Sequence, residues 1–266
     1  MTYGDRARHP RGAFALWLAA AVAAGATVAC TSATPGANVP AHAPGARTVY
    51  VAVGASDALG FGTNDPIRQA WPQVFFTTAL PPGATFVNLA VAGSTVRDAL
   101  QQQVPYVGDL RPTVITVFLG VNDLRAGVTP VEYGARLRAL LSDLRADGAP
   151  TVLVANVPPL DRLPAYLACR PNPPPGGPPC STAGALPPPD ELNARVAAYD
   201  RAVADAAAAT GAALVDLYLL GLTARADGTE ASTVSSDGFH PNARGHALIA
   251  RAFAGAYRRV APPVSP

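Results

Sequence analysis

Asp237 and His240 stand three positions apart in the stretch Ser236-Asp237-Gly238-Phe239-His240-Pro241-Asn242. A loop marked by Gly and Pro can set that carboxylate against the imidazole without help from distant chain. A carboxylate so placed orients a His that acts as a general base. The chain has four histidines: His9, His42, His240 and His246. His9 and His42 fall in segments that read as lying outside a folded body, and His246 sits in an apolar helical pattern as a structural residue. His240 is therefore the candidate base, and nucleophilic catalysis then requires a hydroxyl or thiol beside it.

The elements that must position these groups alternate between strand and helix patterns. Thr48–Val53, Thr85–Val91, Thr113–Leu119, Thr151–Ala155 and Ala213–Tyr218 are short β-branched apolar runs, read as buried strands. Between them lie helical patterns over Ile67–Leu80, disturbed by Pro72, and over Thr95–Gln103. Leu137, Leu140, Leu141 and Leu144 form one helical stripe, which Gly148 ends. Leu192, Val196, Tyr199 and Val203 form another, closed by Gly211, and the last helix spans His246–Arg258. Asp161–Pro189 reads as an irregular, Pro-rich insertion. Strict alternation implies a parallel sheet covered on both faces, with ligands beyond the C-terminal strand ends.

The turns after those strand ends carry the polar groups that chemistry needs. Gly54-Ala55-Ser56-Asp57 comes after the first strand, Ala92-Gly93-Ser94 after the second and Gly120-Val121-Asn122-Asp123 after the third. In a parallel sheet these turns share one edge with the Asp237–His240 loop. Together they supply a hydroxyl, a base, an orienting carboxylate, a glycine amide and a side-chain amide, the parts needed for acyl transfer. Each has an ordinary alternative. Ser56 could cap a helix, Asn122 could be a turn residue and Gly93 could simply end a strand. The Gly-x-Ser-x-Gly elbow is absent because position 58 is Ala. Pocket walls are expected from Asn64–Trp71, Arg125–Pro130 and the Asp161–Pro189 insertion.

In order, Gly54-Ala55-Ser56, Asn88–Gly93, Gly120–Asp123 and Asp237–His240 resemble the four motif blocks of the SGNH hydrolases, also called the GDSL esterase/lipase superfamily. The resemblance covers roughly Thr48 to Val260. It implies an α/β fold, a three-layer α/β/α sandwich with a five-stranded parallel sheet, the flavodoxin-like SGNH hydrolase fold. It implies Ser56 as nucleophile, His240 as base and Asp237 as its orienter. The oxyanion hole would comprise the Ser56 and Gly93 amides and the Asn122 side chain. The implied activity is carboxylic ester hydrolysis through an acyl-enzyme, with no metal or cofactor. A glycan O-deacetylase or a non-catalytic surface binding protein on the same fold are the alternatives. Two positions depart from the family pattern: Ala55 stands where Asp is usual, and Val121 where a second Gly is usual.

Residues 1–29 differ from the rest. Arg6, Arg8 and Arg11 precede the uncharged, Ala-rich run Ala13–Val28, and small residues lead into Cys30. This is the layout of an export signal. It resembles the lipoprotein type, in which Cys30 would carry lipid and hold the protein on a membrane. Thr27 departs from that motif, so simple secretion and an uncleaved anchor stay open. Residues 30–47 read as a Pro/Ala-rich linker and 48–262 as the hydrolase domain. Without residues 1–29 the chain carries 17 basic residues, all Arg, and 17 acidic ones, which gives no signal for nucleic-acid binding. Cys169 and Cys180 bracket a Pro-rich stretch. In an exported protein they are expected to form a disulfide contributing about 2–3 kcal/mol, and to shape one pocket wall. Two cysteines with no nearby His are too few for a metal site. Oligomeric state is not legible in the sequence.

Overall fold

A computed structural model describes residues 47–146, 150–180 and 186–261. The export signal, Cys30, most of the linker and Gly148 lie outside the described residues. The strands are β1 (Val49–Gly54), β2 (Thr85–Asn88), β3 (Val114–Phe118), β4 (Thr151–Ala155) and β5 (Ala213–Val215). They form one parallel sheet in the order β2-β1-β3-β4-β5. Register pairs Val51 with Ile115 and Gly54 with Phe118, so β1 and β3 end side by side. The order reverses between these two strands, and the crevice for a ligand opens there.

The central strands β1, β3 and β4 are buried on both faces, which explains why they read as continuous apolar runs. Val51, Val53, Ile115, Val117, Val152 and Val154 point into one core layer. There they meet α3 (Val96–Gln102), α6 (Pro130–Ala146) and α8 (Pro189–Thr210). Tyr50, Ala52, Val114, Phe118, Leu153 and Ala155 point the other way, onto α2 (Trp71–Ala79) and α10 (Ala243–Val260). Both expected apolar stripes lie in the first layer, and Tyr133 of α6 stacks on Tyr199 of α8 at 4.3 Å. Each fully buried aliphatic side chain contributes about 1.5–3 kcal/mol.

Among the boundaries that differ from expectation, three have a local reason, and the last helix starts at Ala243, where Asn242 caps it, rather than at His246. The helix expected over Ile67–Leu80 is two, α1 (Pro66–Gln69) and α2, separated at Ala70 with ψ 135°. Pro72 lacks an amide and would strike the carbonyl four residues back, so it opens a new helix instead. β2 stops at Asn88, whose side chain accepts from Ala90 N–H at 3.1 Å and donates to Ala58 O at 2.8 Å. The fifth strand stops at Val215, and Leu217–Ala226 is a helix, α9. Asp216 accepts from Leu219 N–H at 2.9 Å, and buried Asn156 accepts from the amides of Leu217 and Tyr218 at 2.7 and 3.0 Å. Two side chains thus satisfy the free amides that a helix start leaves. The Asp161–Pro189 insertion contains a short helix, α7 (Pro164–Leu167).

Candidate active site

Ser56 lies in the turn that leaves β1. Gly54 is needed just before it, because a Cβ there would sit 2.8 Å from Ala58 Cβ and 3.3 Å from Phe118 O. The Ser56 hydroxyl is 2.9 Å from His240 Nε2, across 184 positions of sequence. His240 Nδ1 is 2.6 Å from Asp237 Oδ2. The other carboxylate oxygen, Oδ1, accepts from Ser235 Oγ at 2.6 Å and from the amides of Phe239 and His240 at 2.8 and 2.9 Å. Partial burial opposes ionisation of Asp237. The hydrogen bonds from Ser235, His240 and the two amides outweigh it and hold its pKa at about 2. An ionised Asp237 can only accept, so Nδ1 carries the proton and Nε2 accepts from the Ser56 O–H.

The turn that aligns Asp237 with His240 depends on Gly238, at φ +72°. Its carbonyl accepts from Ala165 N–H at 3.0 Å, and a Cβ there would lie 2.8 Å from both Ala165 N and Pro178 Cγ. Pro178 belongs to the loop closed by the Cys169–Cys180 disulfide, which is present. That loop is not the pocket wall expected of it. It backs the Asp237–His240 loop instead.

Gly93 has φ +81° with open space around its Cα, and the carbonyl of the next residue, Ser94, accepts from Asn122 Nδ2 at 3.1 Å. Asn122 lies in the first turn of α5 (Val121–Arg125), and its Oδ1 accepts from Arg125 Nη1 at 3.1 Å. The second Nδ2 hydrogen of Asn122 has no partner among the described residues and remains available to a substrate oxygen. The neighbouring Asp123 is buried, and both of its oxygens accept from Val96 N–H at 3.1 Å. Burial pushes its carboxyl up to about 6, against the pull of that amide.

Ala55 packs into the α6/α8 core layer, whereas Asp57 faces Trp71 in the other. Asp57 therefore does not occupy the place of an Asp at position 55. Its Oδ2 is enclosed, as is Trp71 Nε1, and neither has a hydrogen-bond partner among the described residues. Burial pushes the Asp57 carboxyl up to about 7, offset in part by its own and the Ala58 amides and by the indole, which lies outside hydrogen-bond geometry. His246 is a buried bridge. Its Nδ1 accepts from Trp71 N–H at 3.2 Å and its Nε2 donates to Phe61 O at 3.0 Å. Burial lowers its pKa and keeps it neutral. Phe61 in turn lies 5.5 Å from the His240 ring.

Ser56, Asn122 and His240 line a cavity of about 170 Å³ whose other walls are mainly apolar. The walls expected from Asn64–Trp71 and Arg125–Pro130 are not there, and of the described residues of the Asp161–Pro189 segment only Leu163 contributes. The main wall is α9, through Leu217, Leu220, Gly221 and Ala224. Those four stand at i, i+3, i+4 and i+7, a helical stripe that the strand assignment of Ala213–Tyr218 obscured. Sequence reasoning also missed Gln103 and Asn156, isolated polar residues without a motif of their own.

A profile of the GDSL-like lipase/acylhydrolase family matches residues 52–248. An arylesterase of Vibrio mimicus is 27% identical over 106 residues, 39% of this chain and 53% of that relative, so the match spans about half the relative's length. Among solved structures, TesA superposes with a TM-score of 0.60 at 18% identity, covering 80% of this chain and 99% of that one. A lipase/acylhydrolase from Enterococcus faecalis gives 0.60 at 17% identity, covering 82% and 100%. The psychrotrophic esterase EstA of Pseudoalteromonas gives 0.57 at 15% identity, covering 80% and 97%. These structural likenesses establish a shared fold, and with four motif blocks in order inside the matched residues the chain belongs to the GDSL-like lipase/acylhydrolase family.

Proposed function

We propose that the protein is an exported serine hydrolase of carboxylic esters bearing an apolar chain. The observation that carries this reading is the hydrogen-bonded line Ser56–His240–Asp237 on a cavity with mainly apolar walls. In this mechanism Ser56 Oγ attacks the ester carbonyl while His240 Nε2 takes its proton. The negative carbonyl oxygen is received by the Ser56 and Gly93 amides and the free hydrogen of Asn122 Nδ2. His240 then protonates the departing alkoxide, leaving an acyl-Ser56 ester. Water, deprotonated by His240, attacks that ester, and His240 returns the proton to Ser56 Oγ as the acid leaves. Asp237 stays ionised throughout, holds the imidazole in the required tautomer and stabilises its positive charge.

The apolar walls favour an ester with a hydrocarbon arm over an acetylated glycan, whose hydroxyls would need polar partners. The Ser56–His240 hydrogen bond favours an enzyme over a binding protein. The test is hydrolysis of p-nitrophenyl esters of graded chain length, with labelling by a serine-reactive phosphonate. Butyrate to octanoate esters should be cleaved faster than acetate. Ser56→Ala should remove labelling and several orders of magnitude of turnover. Near-full turnover in that variant would end the proposal.

Export is supported by the Arg-led apolar segment before Cys30 and by a disulfide, which oxidising compartments favour. No helix among the described residues is long and apolar enough to cross a membrane. Lipid on Cys30 would provide attachment. Cys30→Ala should then move the protein from the membrane fraction to the soluble one, and continued membrane association would point to an uncleaved anchor.

A further inference from the structure

β2 ends at Asn88, while the neighbouring β1 runs on to Gly54. Gly54 pairs with Phe118 of β3 on one side, but on the β2 side, two residues before Ser56, its N–H has no strand to donate to, and its carbonyl is reached by Val91 N–H at 3.3 Å. The side chain of Gln103, at the end of α3, takes that place. Gln103 is fully buried. Its Oε1 accepts from Gly54 N–H at 3.0 Å and its Nε2 donates to Gly54 O at 3.0 Å, as the backbone of an adjacent strand would. The second Nε2 hydrogen goes to Ser94 Oγ at 3.1 Å. Ser94 is itself buried, comes directly after Gly93, and accepts from Asn122 Nδ2 through its carbonyl.

One buried amide thus ties the strand end carrying Ser56 to the segment carrying Gly93, and through Ser94 to Asn122. We propose that Gln103 is a positioning residue that sets the distance between the nucleophile and the oxyanion donors. This rests on the esterase reading above. All three of its bonds are made away from water, so their geometry is stiff, and removing the amide leaves Gly54 N–H without its acceptor and Ser94 Oγ without its donor. A donor acts only when aimed at the place the oxyanion will occupy, so slack between these segments lowers turnover more than it weakens substrate binding.

The test is a double-mutant cycle on p-nitrophenyl butyrate hydrolysis, with thermal unfolding to confirm a folded state. Gln103→Leu removes all three bonds. Ser94→Ala removes the bond to the oxyanion segment and keeps the grip on Gly54. Gln103→Leu should lower kcat by roughly 30-fold and Ser94→Ala by roughly 5-fold, each with KM within about twofold. In an Asn122→Ala background both losses should shrink at least threefold, because the donor they help to place is gone. Equal losses in the two backgrounds, or an unchanged kcat in folded Gln103→Leu, would overturn the proposal. If Gln103→Leu does not fold, the Ser94→Ala cycle decides by the same criterion. Turnover in the wild type that does not depend on Ser56 overturns the esterase reading, and this inference with it.

Discussion

At the scale of single residues, the site separates polar groups that face substrate from those that face only one another. His240 holds Ser56 on one nitrogen and Asp237 on the other, while four hydrogen bonds converge on Asp237. Asn122 has one Nδ2 hydrogen with no partner among the described residues. Its carbonyl end is fixed by Arg125, so the amide cannot flip without losing both contacts. Asn122→Ala should therefore cost about 10²–10³ in kcat, the usual loss for one oxyanion donor, with little change in KM. Steady-state kinetics on butyrate esters measure this. An unchanged kcat would make Asn122 a turn residue and leave the oxyanion to backbone amides.

At the scale of elements, two pieces of structure took roles that their sequences did not suggest. α9 walls the cavity, anchored by Asp216 and Asn156 at its start and by Arg225 near its end. Arg225 Nη2 reaches Asp161 and Glu230 at 2.9 and 2.8 Å. The Cys169–Cys180 loop touches the Asp237–His240 loop rather than the cavity, since Pro178 meets Gly238 and none of residues 169–180 lines the pocket. Removing the bridge with the double substitution Cys169→Ser, Cys180→Ser should lower stability by about 2–3 kcal/mol. It should also lower kcat about tenfold by loosening the Asp237–His240 turn, with KM nearly constant. Unfolding curves and kinetics on esters of graded length check both. A change confined to KM or to chain-length preference would place the loop at the substrate instead.

At the scale of the whole molecule, three carboxyls, Asp123 buried and Asp57 and Asp200 half-buried, sit at the joints between the sheet and its helical layers. Asp57 lies behind Ser56, Asp123 caps α3, and Asp200 of α8 accepts from Val157 N–H after β4 at 2.9 Å. Burial is the largest cause in each case and pushes them up to about 7, 6 and 7 respectively. Below the ordinary Asp value of 3.8 the folded and unfolded states are both protonated, and no penalty arises. Above it the native state binds the extra protons, so these groups make stability fall as pH rises towards 7. His246, neutral when folded, acts oppositely as pH drops below its ordinary value of 6.5. A variant difference isolates one group. The Tm of Asp57→Asn minus that of the wild type should rise by at least about 3 °C between pH 4.5 and pH 8. A flat difference would mean that the Asp57 carboxyl ionises as it does in water.

The sequence by itself determined what depends on short spacing and on uniform burial. Apolar runs such as Val49–Val53 and Val114–Phe118 identify strands buried on both faces, and their alternation with apolar-striped helices leaves a parallel, doubly covered sheet. The Asp237–His240 partnership was legible because three residues and a glycine are enough to form it. Tertiary structure alone decided what depends on side chains far apart in the chain. Asn156 turns Leu217 from strand into helix across 61 positions, and Gln103 grips Gly54 across 49. Neither residue belongs to a pattern, because a buried amide needs only free backbone groups within reach, and reach is a property of the folded chain. The cavity was hidden for the same reason. Its walls are the apolar residues that helix placement leaves facing a strand end, and no spacing in the sequence marks those off from the rest of the core.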